Sequence, residues 1–188
     1  MSTDPAAEYR EVAATFTARV DGVPADGWDV PTPVAEWQAR DVVAHLIEWL
    51  PQVLGAPVAD VPSVADDPAA AWHAHTAGVQ QLLDDPERSA APVSNPHFGE
   101  MSTAQVIDMI YTPDVFLHTW DLARATGQDD RLDPVRLAAG HAASQQSEEA
   151  MRSSGQFGPR VPVPADADLQ DQVIGFIGRD PAWQPPTR

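Results

Sequence analysis

The stretch that decides the fold is Tyr111-Thr-Pro-Asp-Val-Phe-Leu-His-Thr-Trp-Asp-Leu-Ala-Arg124. At about 100° per residue, its apolar side chains cover most of a helix circumference, which predicts a buried helix. Asp114 and His118 are four residues apart, so both point in the same direction as the apolar side chains. An ionised carboxylate is costly to bury without a partner. The stretch therefore predicts a core helix with a polar pair, for which a metal cation is one suitable partner.

A third donor is expected from another helix. His45 lies in the apolar run Val42-Val-Ala-His-Leu-Ile47, and with Asp114 and His118 it would supply two imidazoles and one carboxylate. Such a set leaves coordination positions open, as catalytic metal sites do. The residues alone leave an alternative: Asp114 and His118 could be a simple hydrogen-bonded pair, and His45 a core histidine bonded to a backbone carbonyl.

Asp121 follows His118 by three residues. It could accept a hydrogen bond from His118 or pair at the surface with Arg124 or Arg10, and a structural role is favoured for Asp121 and Arg124. The other histidines are assigned to solvent or to packing. His73 and His75 are two residues apart and so lie on different faces of one helix, while His97 is expected in a loop and His141 in the middle of the fifth helix.

Working outward, capping and breaking residues divide the chain into helices. Ser102 and Gln105 form a capping box before the decisive helix, Gly127 ends it, and Pro113 predicts a kink within it. Trp28 anchors the first of two irregular stretches, residues 26–36 and 89–100. The predicted helices span residues 3–20 (opening at Thr3 or Asp4), 38–54, 67–84, 103–125 and 133–151, with a short piece at 169–178.

This pattern predicts an all-α protein, a four-helix bundle with an extra C-terminal segment. We expect a single domain over residues 1–188, in which residues 156–188 form an accessory tail.

The amino-acid composition limits the classes of molecule that the protein can bind. The 188 residues carry 28 acidic against 11 basic side chains, all of the latter arginine, for a net charge of −17. So acidic a surface disfavours nucleic acid and anionic membranes as partners. The chain has no cysteine, which excludes disulfides, thiolate metal sites and cysteine nucleophiles. It also has no apolar run long enough for a membrane span and no signal peptide, so a cytoplasmic location is expected.

Several motifs together resemble a known family. They are Asp26-Gly-Trp28, Trp37-Gln-Ala-Arg-Asp-Val-Val-Ala-His45, Asp114-Val-Phe-Leu-His-Thr-Trp-Asp-Leu-Ala-Arg-Ala-Thr-Gly127 and the closing Phe157-Gly-Pro159 and Gly178-Arg-Asp-Pro-Ala-Trp183. The chain resembles the DinB-like superfamily, and within it the metal-binding domain of mycothiol-dependent maleylpyruvate isomerase, in an uncharacterised actinobacterial branch.

The resemblance implies a four-helix bundle that holds a divalent ion, often zinc or nickel, through His45, Asp114 and His118. The isomerase has glutamate where this chain has the shorter Asp114. The isomerase also carries a further C-terminal domain that contributes to its active site, for which this chain is too short. The resemblance therefore supports the bundle and its ligands more strongly than maleylpyruvate isomerisation.

On this basis we expect a metal-dependent enzyme that activates a low-molecular-weight thiol, mycothiol by resemblance, for transfer to a small electrophilic substrate or for its isomerisation. Two alternatives stay open. The same ion could activate water in a hydrolase, for which Asp121 or a residue of the third helix would be the base. The bundle could also be a non-catalytic, dimeric binding protein with a vestigial metal site. A homodimer is expected in either case from the family's habit of pairing.

Overall fold

The computed structural model describes residues 4–96, 98–146, 148–153 and 157–186. Helix α1 (Pro5–Asp21) begins after Asp4, whose carboxylate accepts the Ala6 N–H at 3.0 Å. This confirms the predicted start at Asp4, whereas the alternative cap Thr3 lies outside the described residues. One face of α1 points into the core, since Tyr9, Phe16 and Val20 are buried.

Helices α2 (Ala39–Leu54) and α3 (Pro68–Asp84) also begin at the predicted signals. The Asp41 carboxylate accepts the Gln38 N–H at 2.7 Å ahead of α2, and Asp67 accepts the Ala70 N–H at 2.9 Å in the first turn of α3. Helix α2 ends at Gly55, which adopts the left-handed conformation (φ 68°) that glycine reaches without strain. The short helix α4 (Pro86–Ala90) follows α3.

The second stretch predicted as irregular contains a small hairpin instead. Strand β1 (Pro92–Asn95) pairs antiparallel with β2 (Gly99–Ser102), and Val93 lies opposite Met101. Strands of four residues are too short for a visible apolar alternation, which is why the sequence did not indicate them. His97, expected in a loop, lies outside the described residues.

The decisive helix is built in three parts, α5 (Thr103–Val106), a π-helical turn (Ile107–Tyr111) and α6 (Thr112–Thr126). The capping box is confirmed: the Gln105 N–H donates to Ser102 Oγ at 3.2 Å, and the Ser102 N–H donates to Gln105 Oε1 at 2.8 Å. The predicted irregularity at Pro113 takes the form of this π turn. Proline lacks an N–H and crowds the carbonyl four residues earlier, and the wider turn accommodates both effects.

Helices α1, α2, α3 and α6 pack together around one apolar core. Phe16 of α1 meets Trp72 of α3 edge to face, with ring centroids 4.5 Å apart. Leu46 and Leu50 of α2 and Val115 of α6 are fully buried. The predicted all-α four-helix bundle is confirmed, and it places α2 directly beside α6.

After α6 the chain adds helices α7 (Pro134–Gln146), α8 (Glu148–Ser153) and α9 (Leu169–Phe176). The helix predicted over 133–151 corresponds to α7 and α8, which lie on either side of residue 147, and residue 147 is outside the described part. Trp120 of α6 joins a second apolar cluster with Leu137 of α7 and Ile174 of α9. Within the described ranges, no helix combines the length and apolarity needed to cross a bilayer.

Candidate metal centre

The structure brings the three predicted ligands together. His45 projects from the middle of α2 toward the first turns of α6, which carry Asp114 and His118. His45 Nε2 lies 3.1 Å from Asp114 Oδ2, and His118 Nε2 lies 3.5 Å from Asp114 Oδ1. One potential ligand atom from each residue lies within 4.8 Å of the other two. Their assignment as ligands stays a prediction, but their convergence is a structural fact.

The spacing of these atoms fits a small divalent cation. Metal–ligand bonds of about 2.0–2.1 Å place neighbouring ligand atoms of a tetrahedral site about 3.3 Å apart. The 3.1 Å contact of His45 and the 3.5 Å contact of His118 reach different oxygens of Asp114. One donor atom from each of the three residues lies within 4.8 Å of the other two, so the three groups are close enough to converge on one ion. Two imidazole nitrogens and one carboxylate suit zinc, nickel or iron in its divalent state, and three protein donors leave positions for further ligands.

The ring of His118 is oriented by Asp121. His118 Nδ1 is 2.8 Å from Asp121 Oδ2, so the other ring nitrogen, Nε2, faces Asp114. Asp121 is fully buried, which overturns the alternative of a surface partner. Arg124 and Arg10, the partners considered for Asp121, form ion pairs with Asp130 (2.8 Å) and Asp84 (3.1 Å) respectively.

Asp121 in turn contacts Arg179, which follows α9. Arg179 Nη2 lies 3.3 Å from Asp121 Oδ2, and Nε lies 3.4 Å from Oδ1. Burial raises the pKa of Asp121, but the Arg179 guanidinium and the hydrogen bond to His118 outweigh burial and hold that pKa below its usual range. The carboxylate behind His118 is therefore ionised at neutral pH.

Asp114 is held as a carboxylate in a similar way. Trp49 Nε1 donates a hydrogen bond to Asp114 Oδ2 at 2.9 Å. Partial burial raises the pKa of Asp114, but the nearby rings of His118 and His45 and the Trp49 N–H together lower it below its usual range. A carboxylate that is ionised and anchored on one oxygen is prepared to bind a cation.

Aromatic rings frame the centre. The Trp37 ring stacks on His118 with centroids 5.7 Å apart and an interplanar angle of 20°, and it lies 5.0 Å from His45. Trp37 closes the connection between α1 and α2, in which Trp28 is partly buried against the core as predicted. The site is open mainly along the edge formed by His45 and Asp114, whose side chains are 32% and 26% exposed, whereas His118 is only 4% exposed.

A buried polar layer lies beneath the centre. Tyr111 donates its hydroxyl proton to the Leu46 carbonyl at 3.1 Å, so it accepts from His75 Nε2 at 2.8 Å. The Tyr111 ring also meets Trp49 edge to face at 5.4 Å. His75 is therefore a packing residue, and through Tyr111 it contacts the side chains that surround the site.

His73 and His141 have partners outside the centre. His73 pairs with Asp21 at 2.8 Å, and His141 lies 2.9 Å from Gln145. The three converging residues were predicted from the sequence, and Asp121 was considered as a partner of His118. Trp37, Trp49 and Arg179 were not predicted to contact the site. Trp49 carried a usable signal, because it follows His45 by four residues on the same helix. Trp37 and Arg179 carried none, since both reach the site through tertiary folding.

Comparison with known proteins agrees with this picture. The family model described as mycothiol maleylpyruvate isomerase N-terminal domain matches residues 9–123, a region that includes all three converging residues. Two uncharacterized proteins, from two strains of Mycobacterium tuberculosis, are each 33% identical over 184 residues, covering 94% of this chain and 98% of the relative. No solved structure matches the chain at a significant level. The chain belongs to the family of the mycothiol maleylpyruvate isomerase N-terminal domain, a mycothiol-associated DinB-like family.

Proposed function

We propose that this protein is a divalent-metal-dependent enzyme that activates a low-molecular-weight thiol of the mycothiol type. The thiol would be transferred to a small electrophilic substrate or would assist its isomerisation. The proposal places the enzyme in the cytoplasm, where such thiols are kept reduced. His45, Asp114 and His118 would hold the metal, which we expect to be zinc or nickel.

The observation that carries the proposal is the convergence of two imidazoles and one carboxylate on a partly exposed edge. A closed structural zinc site has four protein ligands, whereas three leave room for a ligand from solution. Family membership supports a thiol as the further ligand, because the matching family is described as the N-terminal domain of mycothiol maleylpyruvate isomerase. The chain itself has no cysteine, so any sulfur nucleophile has to come from a cosubstrate.

A divalent cation, when bound, lowers the pKa of a thiol that it ligates and makes the sulfur nucleophilic at neutral pH. The chain's own residues supply the orientation. Asp121 fixes the ring of His118 and Trp49 fixes one oxygen of Asp114. Trp37 covers the His45 and His118 rings on one side, which limits the access of water and leaves the exposed edge for thiol and substrate.

The hydrolase alternative lacks a free general base among the residues considered for it. Asp121 is fully buried and is engaged by His118 and Arg179. His75, the buried histidine of α3, is directed at Tyr111. A base has to reach the water that it activates, and neither side chain faces the open edge. This favours a nucleophile that is activated by the metal alone, as a bound thiol is.

The metal site is tested by elemental analysis of the purified wild type, His45→Ala and His118→Ala. His73→Ala is a matched control, since His73 lies outside the site and pairs with Asp21. We expect about one equivalent of metal in the wild type and in the control, and a loss of most of it in the two site variants. Equal metal content in all four proteins would refute the site.

The thiol is tested by titrating mycothiol into the cobalt-substituted protein. Direct ligation by sulfur predicts a sulfur-to-cobalt charge-transfer band that saturates with thiol, while the S-methylated thiol, as control, gives none. A protein that binds cobalt but develops no band at saturating thiol would exclude direct thiol ligation. That result, together with no turnover of electrophiles, would instead favour the non-catalytic binding bundle, whose expected homodimer is measured by light scattering.

A further inference from the structure

Arg179 lies outside the matched family region, residues 9–123, yet it contacts Asp121 beside the candidate metal centre. It lies in the C-terminal segment, defined here as residues 157–186. From there its guanidinium reaches the buried Asp121, at 3.3 and 3.4 Å from the two carboxylate oxygens. Asp121 contacts His118 at 2.8 Å, so a continuous polar chain links the segment to the candidate metal centre.

The backbone around Arg179 holds its side chain in place. The Arg179 N–H donates to the Ile174 carbonyl of α9 at 3.0 Å, and Nη1 donates to the Ile177 carbonyl at 3.3 Å. Gly178, just before it, has φ 90° and packs against Gly158, whose backbone atoms a Cβ would meet at 3.0 Å. The side chain is only 14% exposed. Arg179 is therefore a fixed part of the docked segment.

Arg179 compensates the charge of Asp121 and limits how its carboxylate is oriented. A fully buried carboxylate needs a cation or several donors. Arg179 contacts both oxygens, and Oδ2 remains directed at His118 Nδ1. Without the guanidinium, the carboxylate would be free to turn or to draw in water, and the ring of His118 would lose its fixed orientation.

We propose that Arg179 is a positioning residue for the metal centre, acting on His118 through Asp121, so that docking of the C-terminal segment sets metal affinity. The inference rests on the proposed function, because it requires His118 to be a ligand. It gives the C-terminal segment a role in the site although the segment supplies no ligand. Residues that orient ligands typically change metal affinity by about 10- to 100-fold when they are lost.

The experiment measures the dissociation constant of Zn²⁺ by chelator competition in five proteins: the wild type, Arg179→Met, Asp121→Asn, the double variant and Arg131→Met. We expect Arg179→Met and Asp121→Asn each to weaken Zn²⁺ binding by about 10-fold. The double variant should be no weaker than Asp121→Asn alone, because Arg179 acts only through Asp121. The cobalt-substituted single variants should show altered ligand-field spectra, which report the geometry of the site.

Arg131→Met is the matched control. Arg131 pairs with Asp168 at 2.9 Å and therefore also holds the C-terminal segment, but this exposed ion pair does not contact Asp121. We expect its Zn²⁺ affinity to equal that of the wild type. Thermal unfolding of each protein shows whether it is folded. In the double variant Asp121 is replaced by neutral asparagine, so the loss of Arg179 leaves no buried charge without a partner.

Three outcomes would overturn the positioning role. They are an Asp121→Asn or Arg179→Met protein that binds Zn²⁺ as tightly as the wild type, an equal weakening in Arg131→Met, and a double variant in which the two losses multiply. Failure of the proposed function gives a different result, since a wild type that binds Zn²⁺ no better than His118→Ala would remove the metal site itself.

Discussion

Protonation of His75 is expected to make the protein's stability depend on pH. The side chain is 1% exposed, its Nε2 is bonded to the Tyr111 hydroxyl, and its Nδ1 has no hydrogen-bond partner among the described residues. Burial lowers the pKa of His75 from 6.5 to about 4. A charged imidazole would have to be accommodated in the layer that supports Trp49 and the metal centre.

The sign and size of the effect follow from the two pKa values. As the pH falls below 6.5, the unfolded chain takes up a proton at His75 before the folded chain does. Stability is therefore complete above pH 6.5 and is lost progressively as the pH falls toward about 4. The gap between the two pKa values corresponds to roughly 3 kcal/mol in the free energy of unfolding, of which about 2 kcal/mol is lost by about pH 5.

The assay compares urea unfolding of the wild type and His75→Gln between about pH 7.5 and pH 4.5, with a chelator present so that metal release does not contribute. Glutamine keeps a donor for Tyr111 and does not titrate. The free energy of unfolding of the wild type should fall relative to that of the variant by roughly 2.5 kcal/mol over this range. His73→Gln is the control, because His73 lies two residues away on the same helix but is half exposed.

The reasoning would be refuted by wild-type and His75→Gln stabilities that stay parallel over the whole range. Parallel curves would mean that the folded protein protonates His75 as readily as the unfolded chain does. A His73→Gln curve that diverges from the wild type as strongly as that of His75→Gln would equally show that burial is not the cause.

Two further changes have definite expected outcomes. Trp49→Phe keeps an aromatic ring but removes the N–H that donates to Asp114 Oδ2 at 2.9 Å. Because an orienting hydrogen bond is lost, Zn²⁺ affinity in chelator competition should fall about 3- to 10-fold. An unchanged affinity would contradict the role of Trp49 in orienting Asp114. Gly178→Ala places a Cβ 3.0 Å from the Gly158 backbone at φ 90° and should lower the free energy of unfolding by about 1–3 kcal/mol. Gly140→Ala is its control, because a Cβ there meets no neighbour within 4 Å. The control should leave the free energy of unfolding unchanged or raise it by about 0.5–1 kcal/mol. Urea unfolding measures both, and equal effects would contradict the close approach at Gly178.

Much of the fold could be predicted from local signals. Helix period and capping act over a few residues, so Asp4, Ser102 with Gln105, and Gly127 mark real helix ends. The hairpin of residues 92–102 could not be predicted in the same way, since each of its strands has only four residues.

The candidate site was predictable for a similar reason. Asp114 and His118 are brought together by the helix itself, and the apolar surroundings of His45 show that it points inward. The role of Asp121 could not be decided locally, because its spacing allowed several partners. Its burial against His118, and the contact with Arg179 from 58 residues further along the chain, exist only in the folded protein.

Helix periodicity and the cost of burying polar groups predicted the four-helix bundle and singled out His45, Asp114 and His118 as candidates, and the family resemblance favoured them as a set over a simple hydrogen-bonded pair. The absence of cysteine from the sequence excludes a cysteine nucleophile in this chain. Only the tertiary structure decided which side chains hold those residues: Trp37, Trp49 and the Asp121–Arg179 pair. The physical reason is that orientation and charge compensation at the site come from elements distant in sequence, whose packing no local pattern specifies.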